Sequence, residues 1–203
     1  MTINTKDMLN SILSSIARID YVKPESIPNI DLYMDQVTTF MNEQLRSTKR
    51  YEDDKILTKT MINNYAKNNL LPPPVKKKYS REHVLVMIFI YYFKNILSIK
   101  DIEAMLTPIT ENYFNNESFN MTEIYEEICQ LEKSRIDGLA KDVARAYQSA
   151  EETFGDRPQD EQEYLRFFSF ICNLSFDVYV KKLLIEKLID KLPDPESSEK
   201  KKK

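Results

Sequence analysis

Along the N-terminal third the apolar positions recur every three or four residues. Met8, Ile12, Ile16 and Ala17 form one stripe and predict a helix from Thr5 to Ile19. Tyr21 to Ile30 contains Pro24 and Pro28 and reads as a linker. Met34, Val37, Phe40, Met41 and Leu45 predict a second helix over Asp31 to Leu45. Arg46 to Asp54 has no period and reads as a loop. From Lys59 to Asn68 the residues divide between two helical faces. Met61, Ile62 and Tyr65 lie on one, and Thr60, Asn63, Asn64 and Lys67 on the other. Thr58 is placed to cap the first turn, and Pro72, Pro73 and Pro74 are expected to end the helix.

The next stretch, Arg81 to Ile96, is apolar all the way round, so several neighbours should cover it. Ile99 to Leu106 predicts a shorter helix, after which Pro108 and the asparagines between 112 and 120 break the pattern. Met121 to Ala150 carries a stripe that is irregular near Arg135 and Gly138, which predicts one bent helix or two. Its spacing does not hold a strict heptad; it either packs inside the molecule or pairs with a copy of itself. Glu161 to Leu192 predicts a helix, with room for a short break near Asn173 to Asp177. Its aromatic residues, Tyr164, Phe167, Phe168, Phe170, Phe176 and Tyr179, are numerous enough that much of it should be buried. From Pro193 the chain reads as a disordered tail ending in lysines, either a solubilising charge or a weak attraction for polyanions. The expected organisation is an N-terminal helix and linker (1–28), a central helical domain (29–108), a C-terminal helical region (109–192) and the tail (193–203).

Composition supports an all-α helical bundle, since helix formers abound and there are only 2 glycines in 203 residues. So few glycines leave no room for a glycine-rich phosphate loop. The net charge of −3 excludes a chain that is basic throughout, but the charge is unevenly spread. Gln44 to Lys94 holds 11 Lys and Arg against 4 Asp and Glu, an excess of +7. Glu103 to Glu163 holds 5 against 15, an excess of −10. Such a split would orient the molecule on a polyanion, or it is simple solvation of two regions. Cys129 and Cys172 are far apart in sequence, which argues against a disulfide framework or zinc cluster and fits a reducing cytoplasm. No apolar run approaches the ~20 residues of a membrane span, so no membrane association is expected.

Leu57-Thr58, Met61-Ile62, Tyr65, Leu70-Leu71-Pro-Pro and Tyr79-Ser80 resemble the recognition helix and wing of MerR-type transcription regulators. Leu97-Ser-Ile-Lys-Asp-Ile102 is similar to the start of the helix that follows in those proteins. The stretch from about Asp35 to Leu106 also resembles an uncharacterised bacterial family known only as a domain of unknown function. The resemblance implies a helix-turn-helix with a short wing, contact with double-stranded DNA through residues 58–68 and 72–79, and a homodimer. Lys59, Lys67, Lys76, Lys77, Lys78 and Arg81 would meet phosphates. Asn63 and Asn64 would present amides to adenine edges, and Thr60 could serve either purpose. Asn63 stands where such recognition helices usually carry arginine, the wing lacks its usual glycine, and the link over Arg46 to Ile56 is long. These departures motivate an alternative: a protein–protein interaction module on a helix-turn-helix frame.

Candidate chemistry is sparse. His83, the one histidine, sits at a helix start and reads as a surface or capping residue. Glu126-Glu127 and Glu151-Glu152 are adjacent, so each pair diverges around a helix and reads as solvated charge. Neither cysteine has a local activator. No enzyme activity, metal or cofactor is expected. A small-molecule effector pocket among the C-terminal aromatics stays open as a weaker expectation.

Overall fold

The computed structural model describes residues 5–16, 22–133 and 135–193. The end of the first predicted helix, the start of the linker and the lysine tail lie outside them. Eight α-helices and a two-stranded sheet follow one another through the described residues. The chain divides into two compact units, Tyr21–Cys129 with Ile185–Lys203, and Met1–Asp20 with Gln130–Leu184.

The larger unit is assembled around α4 (Arg81–Phe93). Nine consecutive residues of this helix, His83 to Tyr91, are buried. That is what a helix without a polar face requires, because every side must find apolar cover. Cover comes from α2 (Met34–Gln44) through Val37 and Met41, and from α3 (Lys59–Lys67) through Ile62 and Tyr65. Further cover comes from α5 (Ile99–Tyr113) through Ile102 and Leu106, and from α6 (Met121–Lys133) through Met121 and Tyr125. Ile189, near the end of α8 (Gln159–Ile189), joins the same core. The sheet is minimal: β1 (Leu32–Tyr33) pairs antiparallel with β2 (Lys78–Tyr79), Leu32 opposite Tyr79 and Tyr33 opposite Lys78. The smaller unit packs Leu9 of α1 (Thr5–Ile16) with Ala150 of α7 (Ile136–Glu151) and Phe170 of α8.

Several boundaries differ from the sequence expectations, each for a physical reason. Leu32 and Tyr33 form a strand, so the second helix begins at Met34, where the Gln36 side chain accepts the Tyr33 amide at 2.8 Å. The linker is half built in: Val22 and Ile27 are buried, and Pro24–Ser26 forms a 3₁₀ turn. Residues 46–56 are ordered rather than shapeless. Arg46–Thr48 makes a 3₁₀ turn, and the Asp54 carboxylate accepts the amides of Arg50 and Tyr51 at 3.1 and 2.9 Å. Lys94 then holds the loop's end by donating to the Ile56 carbonyl at 2.7 Å, and burial lowers its pKa. α4 stops at Phe93 and not Ile96. α5 runs straight through Pro108 to Tyr113, because Leu106, Ile109 and Tyr113 pack on the core and offset the lost amide. α8 is unbroken across 173–177. Its predicted burial is wrong: Phe170 is buried, but Tyr164, Phe168, Phe176 and Tyr179 are exposed. The residues that meet the apolar cluster, Phe170 and Leu174, occupy one side of the helix only.

Candidate nucleic-acid interface

α3 divides as its spacing predicts. Ile62 and Tyr65 are buried in the core with Met61 half-buried beside them. Lys59, Thr60, Asn63, Asn64 and Lys67 are exposed. Thr58 caps the helix, its hydroxyl accepting the Met61 amide at 3.2 Å. The helix ends without help from the prolines. Asn69 takes a left-handed φ of 57°, so the Leu70 amide reaches the Tyr65 carbonyl at 2.9 Å and the Asn69 amide reaches that of Ala66 at 3.4 Å. This is a Schellman stop with asparagine in the left-handed position, and the prolines only follow it.

The wing is a tight hairpin. Val75 and Lys78 exchange two backbone bonds, at 3.1 and 2.9 Å, across Lys76 and Lys77. Both central lysines have positive φ, 51° and 63°. A two-residue turn with this geometry favours Asn-Gly, because a Cβ crowds the backbone there. Two lysines at its tip therefore store strain, of order 1–2 kcal/mol each, and expose two cations at one point. Tyr79 anchors the hairpin: it is buried, its pKa is raised by that burial, and it meets the His83 ring edge-on at 5.6 Å.

The predicted phosphate contacts are not equivalent. Arg81 is half-buried and partly engaged within the fold. Its guanidinium donates to the Ile27 carbonyl at 2.8 Å and to that of Pro24 at 2.7 Å, fastening the linker to the start of α4. A phosphate contact of the kind the resemblance implies for Arg81 would compete with these two bonds. Lys78 is half-buried, with its ammonium 5.1 Å from the centre of the Tyr33 ring. Lys59 is exposed but pairs with Asp35 of α2. Thr60, Asn63, Asn64, Lys67, Lys76 and Lys77 are left exposed, with no side-chain bond among the described residues.

His83 is a capping residue but not a surface one, being 3% exposed. Its Nδ1 accepts the Ser80 amide at 3.0 Å, so the proton belongs on Nε2, which lies 3.3 Å from the Pro73 carbonyl. Burial lowers its pKa below the ordinary 6.5, against smaller raising effects from the Pro73 bond and Asp31. One imidazole thus locks the triple proline to the start of α4.

Sequence reading missed an open cleft of about 710 Å³ between the outer side of α2 and residues 46–52. Thr38, Asn42, Arg46, Lys49, Arg50 and Tyr51 line it, as do Glu43 and Glu52. The Arg50 guanidinium lies 5.2 Å from the centre of the Tyr51 ring. The cations were visible in the chain, but only the folded loop brings them to α2. Among the described residues, no three His, Cys, Asp or Glu side chains are grouped as metal ligands would be. Nor is any helix long and apolar enough to cross a membrane.

No curated protein and no solved structure matches the chain. A family model does match, over residues 22–128, slightly more than half of the length. It takes in the linker, α2 to α5, the hairpin and most of α6, and so every residue of the interface described above. The chain belongs to the family described as domain of unknown function DUF1836.

Proposed function

We propose that this protein is a DNA-binding transcription regulator that docks α3 and the lysine hairpin on double-stranded DNA. The observation that carries the reading is the strained tip at Lys76 and Lys77, which presents two cations where a stable fold favours Asn-Gly. The amide-bearing side of α3 supports it. Asn63 and Asn64 suit adenine edges, Thr60 suits a base or a phosphate, and Lys67 suits a phosphate. Arg46, Lys49 and Arg50 around the cleft supply further cations for the flanking backbone.

Fluorescence anisotropy with genomic duplex fragments, at low and moderate salt, tests the reading. Wild-type binding should weaken with salt, by about 0.9 log unit per log unit of salt for each phosphate met. Asn63→Ala with Lys67→Ala should cut affinity and flatten that slope. Arg81→Ala should leave the slope alone, because its guanidinium is spent on carbonyls. Absence of salt-sensitive binding, or binding indifferent to Asn63 and Lys67, overturns the proposal.

A second reading, a protein-binding module on a helix-turn-helix frame, is favoured by the occupation of Arg81, Lys78 and Lys59. Only Lys67, Lys76 and Lys77 of the six expected cations have no partner within the chain among the described residues. A pull-down that recovers a protein partner and no DNA would select it.

A further inference from the structure

We propose that the cleft between α2 and residues 46–52 binds a small phosphate monoester that also carries hydroxyl groups, the chemistry that sugar phosphates and mononucleotides share. Arg46, Lys49 and Arg50 bring cations to it from the loop wall. Glu43 of α2 and Glu52 of the loop line the same cleft. Glu43 and Arg46 are three residues apart, as are Lys49 and Glu52, yet among the described residues neither pair forms a salt bridge. The Lys49 ammonium makes one long contact, with the Glu52 carbonyl at 3.5 Å. The Arg46 guanidinium has no bond among the described residues, and that of Arg50 lies over the Tyr51 ring. Donors and acceptors of both signs thus line one space without engaging each other.

Charge and hydrogen bonding select the ligand. A guanidinium meets a phosphate with two parallel bonds, and the Thr39 hydroxyl on α2 adds a neutral donor. Three cations against two carboxylates suit one phosphate and disfavour a polyphosphate. A carboxylate only accepts hydrogen bonds, so Glu43 and Glu52 require donors on the ligand, which sugar hydroxyls supply. The DNA backbone carries phosphate but no sugar hydroxyl, so the carboxylates favour a free ester over a duplex as the source. Tyr51, 58% exposed, offers a flat wall to the sugar or its base. A volume of about 710 Å³ holds such a molecule. The loop wall is fixed before any ligand arrives. Asp54 holds the Arg50 and Tyr51 amides, and Lys94 holds the Ile56 carbonyl. The Thr48 hydroxyl bonds the Leu45 carbonyl at 2.7 Å and the Tyr91 hydroxyl. A preformed wall loses little conformational entropy on binding.

The inference goes beyond DNA docking and is tested first without DNA. Isothermal titration of the full chain should show ribose 5-phosphate or AMP binding with a Kd below about 1 mM. Ribose, adenosine and inorganic phosphate should bind at least roughly 10-fold more weakly, because each lacks one half of the contacts. Arg46→Ala with Arg50→Ala should weaken the ester at least roughly 10-fold. Glu43→Ala with Glu52→Ala should weaken the ester but tighten inorganic phosphate, a reversal that a plain basic patch would not give. Asn63→Ala with Lys67→Ala, the pair that tests DNA docking, should leave the ester unaffected. All six positions are exposed, so circular dichroism should not change. No ester binding, inorganic phosphate binding as tightly as the esters (an adventitious ion only), or ester binding indifferent to the arginine pair overturns the inference. Tightening of ester and phosphate alike by the glutamate pair does the same. So does a cleft silent to every ester whose arginine pair weakens duplex binding, because those cations then serve the DNA backbone.

Discussion

At the scale of single residues, His83 makes the pH dependence concrete. Its folded pKa lies below 6.5, so as pH falls the unfolded chain takes up the proton first. Stability from this group is complete above 6.5 and is lost as pH drops through 6.5 toward the folded value. The urea midpoint should therefore fall between pH 7.5 and 5. In His83→Gln, which can still accept the Ser80 amide, it should fall less. Equal slopes for the two proteins would remove His83 as the cause. Lys76 and Lys77 give the opposite kind of expectation. Replacing them with Asn and Gly removes one left-handed β-carbon, puts a residue that tolerates the conformation at the other position, and should raise stability by about 1–2 kcal/mol. The same change should weaken DNA binding. A stabilised variant with undiminished affinity would leave the strained tip without a binding role.

At the scale of elements, α3 separates packing from contact. Ile62→Ala empties a fully buried site and should cost about 2–5 kcal/mol in urea unfolding. Asn63→Ala with Asn64→Ala alters only the exposed side and should stay within about 0.5 kcal/mol per substitution, while anisotropy reports a loss of affinity. This division was legible beforehand, because a 3.6-residue period sorts side chains by direction and needs no knowledge of what lies opposite. The stop at Asn69 was not legible. Asparagine tolerates left-handed backbone, but nothing local says which asparagine will take it, and the adjacent prolines offered a simpler stop. α5 shows the same limit: a proline penalty of about 3 kcal/mol is visible in sequence, and the packing that outweighs it is not.

At the scale of the whole molecule, the core of the larger unit closes with a residue remote in sequence. Ile189 is buried there and Ile185 packs against it, although the family match ends at residue 128. A fragment of residues 22–128 should therefore be less stable than the full chain, by about 2–5 kcal/mol for two lost isoleucine contacts. Thermal melting of the two proteins measures this. Coincident transitions would show that the C-terminal helix adds nothing to that core. The charge split belongs to this scale too. It was readable as a count, but Arg81, inside the basic stretch, bonds carbonyls within the fold.

The sequence by itself determined the helical class, the two faces of α3, the covering of α4 and the place of the lysine turn. Those follow from periodicity, propensity and turn chemistry, which act over a few residues. Tertiary structure decided which cations remain exposed, that residues 46–52 form one wall of a cleft, that His83 is buried, and that most of the aromatic residues of α8 are not. Each of these depends on what another part of the chain brings alongside. A residue's spacing sets where its side chain points, and only the packed neighbours determine whether it meets protein or water.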